Sequence, residues 1–234
     1  MDERRADAPG TTDGLADLFP PLGLVITSGD LTMRLLRDDD MPEYAALVSR
    51  PVFEDEAADH VFPWYQAPPQ ERAREGVRFQ WHLRAGVTPE RWNLSFGVFH
   101  RGELIGMQDV NATEFARRRT VGSGSWLTAD AHGRGHGSRM RRMMLAFAFD
   151  HLGAQRAESA AIIGNERSCR VSRACGYADN GTAVVVEGEK VLTHQAFVVT
   201  PETFVRKDVT VQVDGLTTDL RAMLGAEDPQ ETPA

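Results

Sequence analysis

The chain has 234 residues, 41% of them hydrophobic, which is enough for one α/β domain with a full core and for extensions outside it. Its net charge of −8 argues against a nucleic acid as a partner, because non-specific binding to nucleic acid needs a basic surface. No apolar run approaches membrane-spanning length and the first residues lack an apolar signal core, so we predict a cytoplasmic protein without a membrane partner.

The N-terminal part of the chain predicts a disordered tail, a strand and a helix. Residues 1–14 are polar and rich in Gly, Pro and Asp, which is typical of disorder. A short apolar segment at 15–24 follows. Residues 31–37 then predict a strand, and residues 40–49 predict a helix.

A long segment at 51–91 carries several prolines and clusters of aromatic side chains. Within it, residues 69–83 show helical spacing. Specificity is often carried by segments outside the regular scaffold, which makes Trp64 and Trp81 candidates for contact with a substrate. Packing in the core is the alternative for both tryptophans.

The rest of the chain alternates between strands and helices. The predicted strands are 94–101, 104–113, 121–128, 156–163, 182–187 and 191–199, and the predicted helices are 138–150 and 166–175. A short helix at 200–203, an added strand at 209–213 and another short helix are predicted after them. We expect a main domain over 15–200, an extension over 201–225 that packs on it, and a loose tail over 226–234.

The two cysteines, Cys169 and Cys175, lie six residues apart in one predicted helix. That spacing puts them on different faces of the helix and disfavours a disulfide between them. Unpaired thiols fit a reducing cytosol.

The most informative segment, residues 121–151, predicts a strand, a glycine-rich turn and an amphipathic helix. Glycines at 133, 135 and 137 let the backbone approach a ligand closely, because no Cβ blocks it. A turn that opens a helix also directs free N–H groups and the positive end of the helix dipole at one point, which favours a phosphate or pyrophosphate. Four arginines cluster there in an otherwise acidic chain and favour the same ligand: Arg134, Arg139, Arg141 and Arg142.

These motifs resemble the GCN5-related N-acetyltransferases (GNAT), in particular their ribosomal-protein-acetylating (Rim-type) branch and actinobacterial acetyl- and succinyl-CoA acyltransferases. The pattern His-x-x-Gly-x-Gly at 132–137 resembles the acyl-CoA pyrophosphate loop of that family, with His132 in place of the usual Gln or Arg. Residues 164–177 resemble its second signature, an Asn that opens a helix ending in Gly-Phe or Gly-Tyr. Residues 31–47 and 92–110 resemble its first strand and helix and its central hairpin.

The resemblance implies a fold and a cosubstrate. The fold is α/β (α+β), with a mixed, mostly antiparallel, twisted sheet of about seven strands that splay at the CoA site, flanked by helices. The cosubstrate is acetyl-CoA or another acyl-CoA, with no metal. The backbone of residues 125–128 would pair with the pantetheine arm, and the glycine loop would hold the pyrophosphate. The implied cofactor-binding residues are Trp126, Leu127, Thr128, His132, Gly133, Arg134, Gly135, His136, Gly137, Ser138, Arg139, Asn165 and Ser168.

Acyl transfer to an amine needs a neutral amine, donors for the developing oxyanion and a proton for the leaving thiolate. Most family members place a tyrosine where this chain has Ser172. The Rim-type branch uses Asn-x-x-Ser instead, which implies Ser168 as the proton donor. A serine in the first turn of a helix that bonds to backbone is the alternative.

Two acidic residues are candidates for the general base. Asp109 lies on the predicted strand 104–113, where alternation could direct it at the cleft, and Glu114 follows that strand. Glu114 is slightly preferred, because similar chains tend to have an acid followed by phenylalanine there. Surface positions for both acids, with a water chain as the base, are the alternative.

Other readings of the sequence are a metal site, a dinucleotide site and a non-catalytic module. His132 and His136 are four residues apart, but the interleaved glycines disfavour a helix and no acidic or cysteine set completes a metal site. A dinucleotide fingerprint would need a third glycine at position 138, which is Ser138. A GNAT fold that binds acyl-CoA or a partner without catalysis stays open.

The expected acceptor is a primary amine of a protein N-terminus, a lysine or a small molecule, and a homo-oligomer is left open. We expect acetyl-CoA rather than succinyl-CoA as donor. The carboxylate of a succinyl group would need a cationic partner. The arginines that could reach it, unless they point to solvent, are Arg78, Arg84, Arg117, Arg118 and Arg119.

Overall fold

A mixed sheet forms the centre of a computed structural model that describes residues 14–51, 65, 67–187 and 190–226. Its order in this part of the chain is β10-β1-β2-β3-β4-β5-β7-β9-β8, with β6 paired to β4. Neighbours are antiparallel except β5 and β7, which are parallel. The strands are β1 (Val25–Ser28), β2 (Leu31–Leu35), β3 (Arg91–His100), β4 (Glu103–Thr113), β5 (Thr120–Ser123), β6 (Ser125–Leu127), β7 (Arg156–Ile162), β8 (Ala178–Glu187), β9 (Lys190–Val199) and β10 (Gln212–Asp214).

Helices cover both faces of the sheet. They are α1 (Gly14–Leu18), α2 (Met41–Val48), α3 (Pro69–Ala85), α4 (Phe115–Arg118), α5 (His136–Ala146), α6 (Glu166–Ala174) and α7 (Thr218–Met223), and α5 continues into a π-helical turn at Phe147–His151. On one face, α2 packs against Met107 and Trp126 of the sheet. On the other face, α5 buries Met140, Met143 and Met144, as its helical spacing predicts.

The α/β class with a mixed sheet flanked by helices is confirmed, with ten strands in the described residues rather than about seven. Two short strands, β1 and β10, extend one edge, and the predicted strand 121–128 is broken at Gly124. The predicted helix at 200–203 is a turn. Thr203 closes it by donating from its backbone to the Thr200 carbonyl at 3.1 Å and by accepting the Thr200 N–H on its hydroxyl.

The segment after residue 200 shares the sheet and the core of the main domain. β10 pairs with β1, and Leu220 and Leu224 of the α7 region are completely buried. The Trp92 indole N–H donates to the Leu224 carbonyl at 2.9 Å. Ala226, predicted as the start of a loose tail, is also buried, and Gly14, the last residue of the predicted N-terminal tail, begins α1. The other residues of both predicted tails, 1–13 and 227–234, lie outside the described part.

The feature that positions the candidate site is a divergence of two parallel strands. β5 and β7 pair from Thr120–Arg156 to Ser123–Ser159. Beyond that point β6 pairs with β4, while the end of β7 pairs with β9. A gap therefore opens between β6 and residues 160–162 of β7, at the place where the sequence predicted a splayed sheet.

Candidate active site

The edge of β6 that faces the gap presents backbone groups to it. The N–H of Thr128 donates to the Ile105 carbonyl at 2.9 Å, and the N–H of Asp109 donates to the Gly124 carbonyl at 2.9 Å. Backbone groups of alternate residues in a strand point to opposite edges. Ser125 and Leu127 therefore direct their N–H groups at the gap. Thr128, predicted as part of this edge, has its N–H engaged by β4 instead.

The side chains of β6 pack in the core. Trp126 lies 6.5 Å from the ring of Tyr44 on the α2 face, and Leu127 is buried on the α5 face. β4 approaches β6 so closely that a Cβ at Gly106 would collide with the Trp126 carbonyl oxygen. Any contact of Leu127 with a ligand in the gap would thus be made by its backbone, whereas the backbone groups of Trp126 face β4.

The glycine loop leads from β6 into the first turn of α5. Gly133 and Gly135 have φ of +73° and +82°, in the left-handed region that favours glycine. The first hydrogen bond of the helix runs from the Arg139 N–H to the Gly135 carbonyl at 3.2 Å. The amides of His136, Gly137 and Ser138 precede it and have no partner within the helix. Together with the helix dipole they form a site for an anion.

Gly137 differs from the two preceding glycines of the loop. Its conformation is helical, and a Cβ there would lie 3.6 Å from Val171 Cγ2 and 3.8 Å from Leu127 Cδ1, which is ordinary contact. Gly137 thus lies where α5 packs against α6, and neither its backbone conformation nor its surroundings require glycine.

His132 connects the loop to β6. Its Nε2–H donates to the Leu127 carbonyl at 3.0 Å, and its Nδ1 accepts a hydrogen bond from Arg167. His136 instead packs against His100 with ring centroids 4.6 Å apart and ring planes tilted by 48°. Burial, followed by the charge of His100, lowers the pKa of His136. The two histidines face different partners, and the described residues contain no group of three His, Cys, Asp or Glu able to hold a metal.

The arginines of this region do not converge on the loop, which corrects the interpretation of their clustering. Arg139 pairs with Asp30 at 2.5 Å in the β1–β2 turn, and this bond, with that from His100, lowers the pKa of Asp30 to about 2. Arg142 is buried and donates to the backbone carbonyls of Ala174, the last residue of α6, and of Val205. Arg141 is buried at the strand divergence, and Arg134 stays exposed on the loop.

Asp109 lies beside the bend at which β6 leaves β7. Its carboxylate accepts hydrogen bonds from the Gly124 N–H and from Asn93 Nδ2, the latter at 3.3 Å. Burial raises the pKa of this carboxyl to about 6, against the opposing effects of those two donors and of the Arg141 charge. A carboxylate with a pKa near neutral at the mouth of a gap can accept a proton.

Glu114, the slightly preferred base, lies at the other end of β4. It follows Thr113, about 17 Å along the strand from Asp109 at the usual rise per residue. Its half-exposed side chain faces Arg117 at 3.4 Å. The structure thus places Asp109 beside the bend at Gly124, where the gap begins, and leaves Glu114 away from that bend.

α6 begins beyond the end of β7, across the gap from β6. Asn165 caps this helix, and its Oδ1 accepts a hydrogen bond from the Ser168 N–H at 3.0 Å. The side chain of Asn165 is therefore used in holding the first turn. Ser168 is partly exposed, whereas Ser172, at the position of the family's tyrosine, is 1% exposed and faces the core.

The predicted acceptor-side residues are spread over the molecule. Trp64 lies outside the described residues. Trp81 of α3 is 51% exposed, and its indole N–H donates to Asp38 at 3.4 Å. The arginines considered for a succinyl carboxylate lie elsewhere: Arg78 pairs with Glu75, Arg84 with Asp38 and Arg117 with Glu114, Arg118 is exposed, and Arg119 packs over Phe115.

Sequence reasoning missed the burial of Arg141 at the gap. Its Nη2 donates to Ser125 Oγ of β6 at 2.9 Å and its Nη1 to Ser159 Oγ of β7 at 3.1 Å. The signal was present in the helical spacing, because Leu145 and Ala148 follow Arg141 at four and seven residues and are buried on the same face.

Comparison with known proteins gives a match to the acetyltransferase (GNAT) domain family over residues 30–178. A Bacillus subtilis protein named as a ribosomal N-acetyltransferase, YdaF, is 27% identical over 90 residues, which are 38% of this chain and 49% of that protein. The chain thus matches about half the length of that curated relative.

Solved structures share the fold at lower identity. RimJ of Mycobacterium smegmatis, solved with CoA-disulfide, has a TM-score of 0.62 and 17% identity, covering 78% of this chain and 90% of that one. The spermidine N-acetyltransferase of Vibrio cholerae, solved with CoA and spermine, has a TM-score of 0.56 and 14% identity, covering 74% and 97%. With the family match covering more than half of its length, this chain belongs to the GNAT acetyltransferase family, as its sequence motifs predicted.

Proposed function

We propose that this chain is an N-acetyltransferase that moves an acetyl group from acetyl-CoA to a primary amine of a protein or a small molecule. The observation that carries the proposal is the gap between β6 and β7, which leads directly to the exposed amides at the start of α5. Family membership and the CoA complexes of RimJ and the spermidine N-acetyltransferase support it. In a dinucleotide site, by contrast, the glycine loop would follow the first strand of a βαβ unit.

The residues present fit CoA. The N–H of Ser125 offers a strand edge to the pantetheine arm, in the manner of an added strand, and the N–H of Leu127 is left for the thioester oxygen. The amides of His136, Gly137 and Ser138 offer a site for the pyrophosphate. Gly133 and Gly135 let the loop adopt the required turn. His132 holds the loop against β6, and Asn165 and Ser168 form the facing turn of α6.

Asp109 is the proposed general base. Its carboxylate takes a proton from the acceptor ammonium, which frees the nitrogen lone pair for attack on the thioester carbon. The Leu127 N–H, which faces the gap, donates to the oxygen on which negative charge develops. Acetyl-CoA supplies the activated acyl group; the protein supplies position and electrostatics. Direct attack in a ternary complex needs no covalent enzyme intermediate.

Ser168 is the proposed donor of a proton to the CoA sulfur as the carbon–sulfur bond breaks, and its hydroxyl regains a proton from solvent. The Asn165 cap fixes the turn that presents this hydroxyl. We expect Ser168→Ala to lower kcat by roughly 10- to 100-fold with little change in the Kd of CoA, because a donor to the thiolate acts mainly in the transition state. Steady-state kinetics with calorimetric binding of CoA measures both quantities, and an unchanged kcat would return Ser168 to a structural role.

Acetyl rather than succinyl is the proposed donor group, since the arginines considered for a succinyl carboxylate contact other partners or lie exposed. The acceptor, a protein or a small-molecule amine, would enter on the α2–α3 side of the sheet, where Asp109 lies. We propose that the protein acts in the cytoplasm, where its two buried, unpaired cysteines would stay reduced. No helix in the described ranges is long and apolar enough to cross a membrane.

A binding measurement tests the proposal first. We expect CoA and acetyl-CoA to raise the melting temperature, because a ligand that binds only the folded state adds to the free energy of unfolding. Release of free thiol from acetyl-CoA in the presence of a panel of amines then separates an enzyme from a non-catalytic module, with succinyl-CoA as the donor control. Stabilisation by NAD or ATP without stabilisation by any acyl-CoA would contradict the proposal.

A further inference from the structure

A buried polar cluster lies where the chain passes from β5, which pairs with β7, into β6, which does not. Arg141 of α5 is 3% exposed and bonds through one guanidinium nitrogen to Ser125 and through another to Ser159. These two serines belong to the strands that separate at this point. Arg141 therefore spans the closed end of the gap, where the two strands are last joined.

The same bend is held from the other side by Asp109. Asp109 Oδ1 accepts the N–H of Gly124, and the next residue, Ser125, accepts the Arg141 bond. Arg141 of α5 and Asp109 of β4 carry opposite charges, and they hold two consecutive residues, Ser125 and Gly124. Asn93, the other donor to the Asp109 carboxylate, is neutral.

Arg141 brings a charge into this cluster, where its guanidinium carbon lies 5.9 Å from the centre of the Tyr177 ring. Arg141 Nε has no hydrogen-bond partner within the described residues, and the Tyr177 hydroxyl lies close to Ser123 and Arg141. The charge of Arg141 lowers the pKa of the Asp109 carboxyl. Burial raises the pKa of the Tyr177 hydroxyl, so Tyr177 is neutral beside Arg141.

We propose that Arg141 is a positioning residue for the acetyl transfer: it fixes the bend at Gly124 and Ser125 and keeps Asp109 ionised at neutral pH. This inference rests on the proposed function, because the bend and the carboxylate have a catalytic role only if the chain transfers an acetyl group. Without the guanidinium charge, burial acts on Asp109 unopposed by any cation. The carboxyl then keeps its proton to higher pH and fewer molecules carry an active base.

The test compares Arg141→Gln, which removes the charge and keeps hydrogen-bond donors, with Arg141→Lys, which keeps the charge. We expect the acidic limb of the kcat/KM profile, near pH 6 in the unaltered protein, to move up by about one pH unit in Arg141→Gln and to stay in place in Arg141→Lys. The activity of Arg141→Gln relative to the unaltered protein then falls by roughly threefold at pH 6.5 and little at pH 8.5. Equal limbs in both variants would overturn the proposal.

A titration without turnover separates this inference from the proposed function. Carbon-13 NMR of labelled aspartate follows the Asp109 carboxyl in the CoA-free protein, with Asp109→Asn to assign its signal. A higher midpoint in Arg141→Gln than in Arg141→Lys supports the proposal, and equal midpoints overturn it. An inactive unaltered protein with a shifted midpoint would instead overturn the acetyl transfer.

Should Arg141→Gln fail to fold, Ser125→Ala releases the guanidinium from the bend while the charge stays in the chain. We expect the midpoint of Asp109 to move in the same direction by a smaller amount. An unchanged midpoint in a folded Ser125→Ala variant would count against the role of Arg141.

Discussion

Replacing Asp109 by asparagine is expected to abolish most of the acetyl transfer and, at the same time, to stabilise the fold. Removal of a general base lowers kcat by roughly 100- to 10,000-fold. Asparagine has the same size and keeps an oxygen that can accept the Gly124 N–H, so the bend and the Kd of CoA should change little. Initial rates at saturating acetyl-CoA, with CoA binding by calorimetry, measure the two effects separately.

The stability change follows from the pKa of Asp109. The ordinary value of 3.8 is raised to about 6 in the fold, first by burial. Between these values the folded protein holds a proton that the unfolded chain has lost, so the free energy of unfolding falls as pH rises through this window. Above pH 6 the ionised carboxylate destabilises the fold by at most roughly 3 kcal/mol.

Asp109→Asn carries no charge at any pH. We therefore expect its Tm to exceed that of the unaltered protein at pH 8, and the difference to shrink toward pH 4. A Tm difference that is the same at both pH values would contradict the placement of an ionised carboxylate in a half-buried, desolvated position. Glu114→Gln is the competing variant: if it, and not Asp109→Asn, lowers kcat, Glu114 is the base.

Gly135→Val is expected to weaken CoA binding by roughly 100-fold or more. The φ of +82° at Gly135 is unfavourable for a residue with a Cβ, by about 1–2 kcal/mol, and more for a β-branched one. A change of that dihedral turns the amides of His136, Gly137 and Ser138 away from their common direction. Each charge-assisted hydrogen bond lost from an anion costs about 1.5–3 kcal/mol. Calorimetry with CoA measures the loss.

Gly137→Ala is the matched control for the loop. Its backbone is helical, and the added methyl group would lie at ordinary contact distance from Val171. We expect CoA affinity within about threefold of the unaltered protein, since alanine favours the helix. Far-UV circular dichroism checks the fold of both variants, because no atom lies within 4 Å of a Cβ at Gly135 and the core is untouched. A folded Gly135→Val with full affinity would contradict the pyrophosphate assignment.

The sequence determined the family, the order of the main elements and the position of the glycine loop. These features depend on short stretches of chain, namely the 3.6-residue spacing of methionines in α5, the turn glycines and the Asn165 cap. Local patterns of this kind are fixed by backbone sterics and by contacts between near neighbours, so they can be read without the fold.

The tertiary structure decided what the charged residues do. Arg139, Arg141 and Arg142 read as one basic cluster in the sequence, yet their guanidinium groups reach the β1–β2 turn, the strand divergence and the end of α6. Long side chains on different faces of one helix reach different neighbours. Which neighbours these are depends on elements brought together from distant parts of the chain.

The choice between the two acids also needed the fold. Asp109 and Glu114 are five residues apart on or beside one strand, and nothing local separates a base from a surface acid. The pKa of Asp109 is set by burial and by partners from β3, from α5 and from the bend at Gly124. Desolvation and charge depend on everything packed around a group. The sequence alone therefore indicated the glycine loop, and only the tertiary structure shows a carboxylate of raised pKa beside the bend at Gly124.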